Sequence, residues 1–155
     1  MTSNNRTATG KTAVQKAAQA VGAVFVLVGI LGFIPGITTN YASLAFAGHQ
    51  SGALLLGLFQ VSILHNIVHL LYGIAGLAMA KTASGAKNYL LWGGVIYLVL
   101  WLYGLFIDKT SAANFVPLNT ADDWLHFVLG VGMIALALLL GRSASRTTSR
   151  TSTLR

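Results

Sequence analysis

Cysteine is absent from this 155-residue chain, and only three acidic residues occur: Asp108, Asp122 and Asp123. The first absence removes thiol nucleophiles, disulfides, iron–sulfur clusters and cysteine zinc sites. The second leaves Asp122 with Asp123 as the one source of a carboxylate pair. Adjacent helical residues point about 100° apart, so these two make a poor acid–base couple. Charge of either sign is scarce: 8% of residues are Asp, Glu, Lys or Arg, against roughly 25% in an ordinary soluble domain. So few charges do not cover a water-soluble surface, and a disordered chain is excluded by the same composition. What is present is apolar. The AVILMFWYC set makes up 55%, and mean hydropathy is +0.70.

Three stretches carry no Lys, Arg, Asp or Glu: 17–80, 88–107 and 124–141. A transmembrane helix needs about 20 mostly apolar residues. The second and third stretches each fit one span. The first must hold two, punctuated at Pro35-Gly36. Span one is expected over about Ala17–Ile34 and span two within Ser51–Ala80, with Leu44–Leu58 as an alternative short interfacial beginning. The expected fold is an all-α membrane protein of four transmembrane helices. A basic tail (1–16) precedes the transmembrane domain (17–141), and an Arg/Ser/Thr-rich tail (142–155), expected to be disordered, follows it.

Nine of the ten basic residues fall before span one, between spans two and three, or after span four; Lys109 and the three aspartates take the other side. By the positive-inside rule both termini are cytoplasmic. Ala45-Phe46-Ala47 resembles a signal-peptidase site, but the preceding apolar run is too long and ends too early for a cleaved signal. The +7 net charge does not read as nucleic-acid binding, because the C-terminal tail interleaves no aromatics. Its basic residues suit topology and anionic lipid.

Val68–Ala80 aligns without gaps to Leu125–Ala137, matching His69 to His126 and Gly73 to Gly130. Two helical hairpins related by a weak parallel repeat account for this. Glycine is frequent in all four spans, where it lets helix backbones approach closely.

The intramembrane polar candidates are His65, Asn66, His69, His126 and Tyr97. Interhelical hydrogen bonding is the plain reading of these residues. Haem or metal ligation, a proton relay and a quinone contact are the functional readings. His-x-x-x-His alone is a weak metal motif and lacks a zincin's Glu, so no metal and no cofactor is specified. If a haem or metal were held, His69 and His126 would be the ligands. Counting from the inner boundary, their heights differ by about 6 Å, and Gly73 and Gly130 would leave room for a flat macrocycle. His65 is an equal alternative ligand, and counting from the outer end puts span two's histidines much deeper than His126. His49 reads as part of a solvated turn. Thr120 and Asp123 are expected to form a capping box that opens span four. No nucleophile elbow or phosphate loop is present.

GFIPGITTNY (Gly32–Tyr41), FAGHQSGALLLGLFQVSILHNIVHLLYG (Phe46–Gly73) and NFVPLNTADDWLHFVLGVGM (Asn114–Met133) resemble a family of small actinobacterial membrane proteins, the domain of unknown function numbered 4383. The resemblance covers about Ala17–Leu140. It implies a four-helix domain in a bacterial plasma membrane and assigns no activity. Because the sequence holds no catalytic constellation and its glycine-rich faces suit packing, function is expected to be non-enzymatic, that of a structural or partner-binding membrane subunit. The implied partners are the lipid bilayer and a second copy or another membrane protein. The alternatives are a small solute or proton transporter or channel, and a His-ligated haem or metal protein.

Overall fold

A computed structural model describes residues 10–152, with side chains described from 10 to 141. The chain is mostly helical: α1 (Ala13–Leu31), α2 (Ile63–Met79), α3 (Ala83–Phe106) and α4 (Thr120–Ser152). Helices α1, α3 and the Thr120–Gly141 part of α4 are each long and apolar enough to cross a membrane, and α2 is a shorter apolar helix. The tail expected to be disordered overlaps the last turns of α4; its side chains, with residues 1–9 and 153–155, lie outside the described residues.

Each start has a local cause. Thr12 and Gln15 form a capping box at α1, Ser62 accepts from the His65 amide at α2, and Thr82 accepts from the Gly85 amide at α3. The Gln15 side-chain amide also donates to the carbonyls of Ala80 (3.1 Å) and Lys81 (2.9 Å). It thus supplies carbonyls that the end of α2 leaves unpaired.

Helix α2, Ile63–Met79, lies within the expected Ser51–Ala80 and fixes the start that the sequence left open, and the mostly helical fold carries one addition that the sequence did not announce. Between α1 and α2 lie three two-residue strands, β1 (Thr38–Thr39), β2 (Leu54–Leu55) and β3 (Phe59–Gln60), in one antiparallel sheet of that order. The β2–β3 turn places Leu56 (φ 53°) and Gly57 (φ 72°) in left-handed backbone. That conformation costs a branched residue such as Leu about 1–2 kcal/mol. The reason for the sheet is hydrogen-bond economy. An apolar stretch held at the bundle's end still has amides and carbonyls to pair, and short strands pair them where Gly52 and Gly57 weaken a helix.

The helices pack as two antiparallel pairs, α1 on α2 and α3 on α4. Glycines make the contacts close. A Cβ on Gly73 would stand 2.6 Å from both the Gly22 carbonyl oxygen and the Val26 nitrogen, and one on Gly94 2.8 Å from the Gly130 carbonyl oxygen. Phe25, Tyr72, Tyr89, Leu90, Tyr97 and Met133 fill the centre. Outward, Leu71, Trp92, Phe106, Val128 and Leu139 are each more than 60% exposed.

Gln15 meets Lys81, and Gly141 meets Lys87, so the starts of α1 and α3 and the last described side chains gather at one end. The two long connections interlock at the other. The Gly48 amide donates to the Phe115 carbonyl (2.6 Å), and the Asn119 side chain donates to the Leu58 carbonyl (2.7 Å).

Candidate functional site

The Ser62 cap sets the phase of α2, so that His65 and His69 lie one turn apart just inside the sheet. Their ring centroids are 4.5 Å apart. Nδ1 of His65 is 3.1 Å from the Gln60 carbonyl oxygen. A carbonyl only accepts, so this nitrogen carries the hydrogen. From the other pair, Tyr97 of α3 meets His126 of α4 edge-on at 5.0 Å. Phe25 of α1 bridges, with its ring 5.7 Å from His69 and 5.4 Å from Tyr97.

His65, His69, Tyr97 and His126 form a common wall between two cavities, each of about 140 Å³. The first lies under the sheet between α1 and α4, against Val24, Val28, Leu55 and Leu129. The second lies on the α2–α3 side, against Val68, Leu100, Tyr103 and Leu118. His126 is 4% exposed. Nδ1 of His126 and Nδ1 of His69 have no hydrogen-bond partner.

Of the expected polar group, Asn66 departs from the rest. It is fully buried on the α1 side, with its amide against Gly32 and neither amide atom partnered. The room expected for a macrocycle is also taken. Gly73 is closed by α1 backbone and Val26, and Gly130 by Leu98 and the Gly94 carbonyl. Those glycines serve helix contact, not a cofactor. Among the described residues, no group of three or more His, Cys, Asp or Glu is arranged to hold a metal ion.

The cap of α4 stands one residue earlier than expected. Asn119 Oδ1 accepts from the Asp122 amide (3.0 Å), and Asp122 Oδ2 accepts from the Asn119 amide (2.9 Å). Thr120 is therefore the first helical residue and not the cap. Asp122 Oδ2 also accepts from the Gln60 amide at 3.0 Å, which ties the sheet to α4. Asp123, freed from capping, pairs with Lys109 at 2.7 Å and lies against Gly104. In the same connection, the hydroxyl and amide of Thr110 donate to Asp108 and hold its carboxyl below the ordinary range.

Sequence reasoning missed Asp122 as a cavity-lining residue and missed Phe25 as the bridging ring. Phe25 has no distinguishing neighbour in sequence. The Asn119–Asp122 spacing was a readable signal for the cap.

The profile of a family described as Domain of unknown function (DUF4383) matches residues 15–139. The chain belongs to that family. No curated protein and no solved structure matches it.

Proposed function

We propose that this member of the DUF4383 family is an integral membrane protein that crosses the bilayer four times, with both termini cytoplasmic, and acts by binding rather than by catalysis. In this reading it is a structural or partner-binding subunit of a bacterial plasma membrane. Its partners are the bilayer, anionic lipid at the basic tails, and a second copy or another membrane protein.

The observation that carries the reading is the sorting of side chains. Gly22, Gly73, Gly94, His65, Asn66 and Tyr97 lie inside, while Leu71, Val128 and Leu139 lie outside. Water selects the reverse arrangement and lipid tolerates this one. The 17 residues of α2 rise about 26 Å, close to the ~30 Å hydrocarbon core, and α2 lies antiparallel beside α1. Lys81 and Lys87 share one end with the start of α1, which supports a cytoplasmic assignment for that end. The internal repeat draws support from Gly73 and Gly130, each of which packs on the helix preceding it in its pair.

Transport is the weaker reading. Both cavities lie towards the connection end, and Phe25, Tyr72, Tyr89, Leu90 and Met133 pack the path to the Lys81 end.

Reporter fusions after Arg155 and within Ser111–Asn119 test the topology; an external C-terminus refutes it. Saturable flux of any small solute through proteoliposomes of the pure protein refutes the binding role.

A further inference from the structure

The cavity between α1 and α4 has an almost wholly apolar wall that includes one carboxylate, Asp122. Its volume of about 140 Å³ is close to the roughly 150 Å³ of an apolar cavity that takes up benzene, so it holds the end of an alkyl chain. It opens sideways beside Val24, 54% exposed, and Leu56, 62% exposed. With α1 in the bilayer this opening faces lipid, and the wall selects an occupant that is apolar over nearly all of its surface.

Asp122 is 3% exposed. Its two hydrogen bonds, from the amides of Gln60 (3.0 Å) and Asn119 (2.9 Å), both fall on Oδ2. Oδ1 accepts from no described residue. Unlike Nδ1 of His69 and Nδ1 of His126, it is not sealed in, so an occupant of the cavity can meet it. Lys109, the basic side chain at this end, is taken by Asp123 (2.7 Å) and the Gly104 carbonyl (2.9 Å), and no Lys or Arg lines the cavity. Among the described residues Asp122 therefore has no cation.

A buried carboxylate without a cation is held at a cost, whether it stays charged or takes up a proton. The fold bears that cost before any ligand arrives, so an ammonium that docks loses only its own hydration. It supplies both the missing charge and a hydrogen for Oδ1, and charge-assisted hydrogen bonds are roughly twice as strong as neutral ones. A fatty-acid carboxylate meets repulsion here, and a phospholipid headgroup finds no Lys or Arg for its phosphate. The chain's net charge of +7 repels cations elsewhere, so a saturable ammonium site is not a general surface effect.

We propose that this cavity binds a long-chain primary amine as its ammonium, with one N–H on Oδ1 of Asp122 and the apolar chain passing Val24, Val28 and Leu129 on its way to lipid. The proposal rests on the bilayer placement of α1 and α4. The two fail separately, because the topology reporters do not depend on whether an amine binds.

The test uses the full chain in phosphatidylcholine nanodiscs, with protein-free discs as the baseline for partitioning. The probe is decylamine. 1-Decanol keeps the chain and a donor without the charge, and decyltrimethylammonium keeps the charge without a donor. Saturable 1:1 binding of decylamine is expected, with both controls weaker by about tenfold or more. Asp122→Asn keeps an oxygen for the Gln60 and Asn119 amides but removes the charge and Oδ1. It should weaken decylamine binding by about tenfold or more. Val28→Trp, which fills the cavity, should abolish it. Replacing part of the phosphatidylcholine with phosphatidylethanolamine should leave decylamine binding unchanged; displacement assigns the site to a lipid headgroup and overturns the free amine. A second readout is independent of affinity. In protein labelled with ¹³C-aspartate, decylamine should move a carboxylate stretch in the infrared difference spectrum, and Asp122→Asn should lack that band. Absence of saturable decylamine binding, equal affinity for either control, unchanged affinity in a folded Asp122→Asn or Val28→Trp protein, or an unmoved carboxylate band each overturns the proposal.

Discussion

Replacing Gly73 with Ala adds one methyl group to the α1–α2 contact, and the structure shows what it meets. The new Cβ would lie 2.6 Å from the Gly22 oxygen and 2.6 Å from the Val26 nitrogen, both of them backbone atoms that no rotamer change can move. Ordinary contact begins near 3.4 Å, so α1 must withdraw by about 0.8 Å. A gap of that size forfeits a quarter to a half of the dispersion well for each atom pair it opens. Overpacking of this kind costs about 1–3 kcal/mol. An opposing gain of up to about 1 kcal/mol comes from the better helix propensity of Ala. Gly132→Ala separates the two effects. Gly132 is also helical, but a Cβ there meets nothing within 4 Å. It receives the propensity gain alone, so the difference between the variants is the clash, about 1–3 kcal/mol. Gly22→Ala opens the same contact from the other side, where its Cβ would lie 2.9 Å from the Gly73 oxygen. Once the helices have parted, the second methyl costs less, so the double variant should lose less than the two singles together. Equilibrium unfolding in mixed micelles, followed by tryptophan fluorescence and far-ultraviolet circular dichroism, measures all four proteins. A Gly73→Ala protein as stable as Gly132→Ala, or strictly additive losses in the double variant, refutes the glycine contact.

Other predictions concern the connection end and Asn66. Asp123→Asn leaves Lys109 without its ion pair; because Lys109 is 31% exposed, the loss should be about 1–3 kcal/mol rather than the larger figure for a fully buried pair. It should appear as faster limited proteolysis within 107–119, and an unchanged rate counts against it. Ser51→Ala strips a partner from the Val61 carbonyl (2.6 Å) and the Ala45 amide (3.2 Å) in the buried centre of the connection. It should cost about 1–3 kcal/mol, and hydrogen exchange at Ala45 should accelerate; wild-type exchange there refutes the role. Asn66→Leu replaces a buried amide that has no partner by an apolar group of similar volume. It should be neutral or stabilising by about 1 kcal/mol, and a fall in stability of more than that shows that the amide is satisfied in the folded protein.

The helices were legible where local chemistry decided them. Charge-free length marked the end of α3 to within one residue and missed its start, which holds Lys87, and the glycine faces implied close pairs. The sheet was not legible. Strands of two residues carry no periodicity, and the apolar run Ala53–Val61 differs little in composition from the helix after it. The cap of α4 was ambiguous because Asn119–Asp122 and Thr120–Asp123 have the same form. Only Lys109 and the Gln60 amide, distant in sequence, separate them. Spacing placed His65 and His69 one turn apart, yet it did not foresee that Asn66 would turn to Gly32. Nor did it bring Tyr97 to His126, which depends on the register of α3 against α4.

The Gln60–Asp122 bond joins residues 62 positions apart, and that separation is also a delay. At about 5–20 residues per second, a ribosome needs roughly 3–12 s to travel it. During that interval α2 and α3 are synthesised, while the Gln60 amide and the Leu58 carbonyl still await Asp122 and Asn119. The sheet is thus an unfinished joint that the last helix closes. A ribosome stalled before Asn119 should hold a nascent chain with α1 and α2 paired and this joint open to protease. Release of the full chain should seal it.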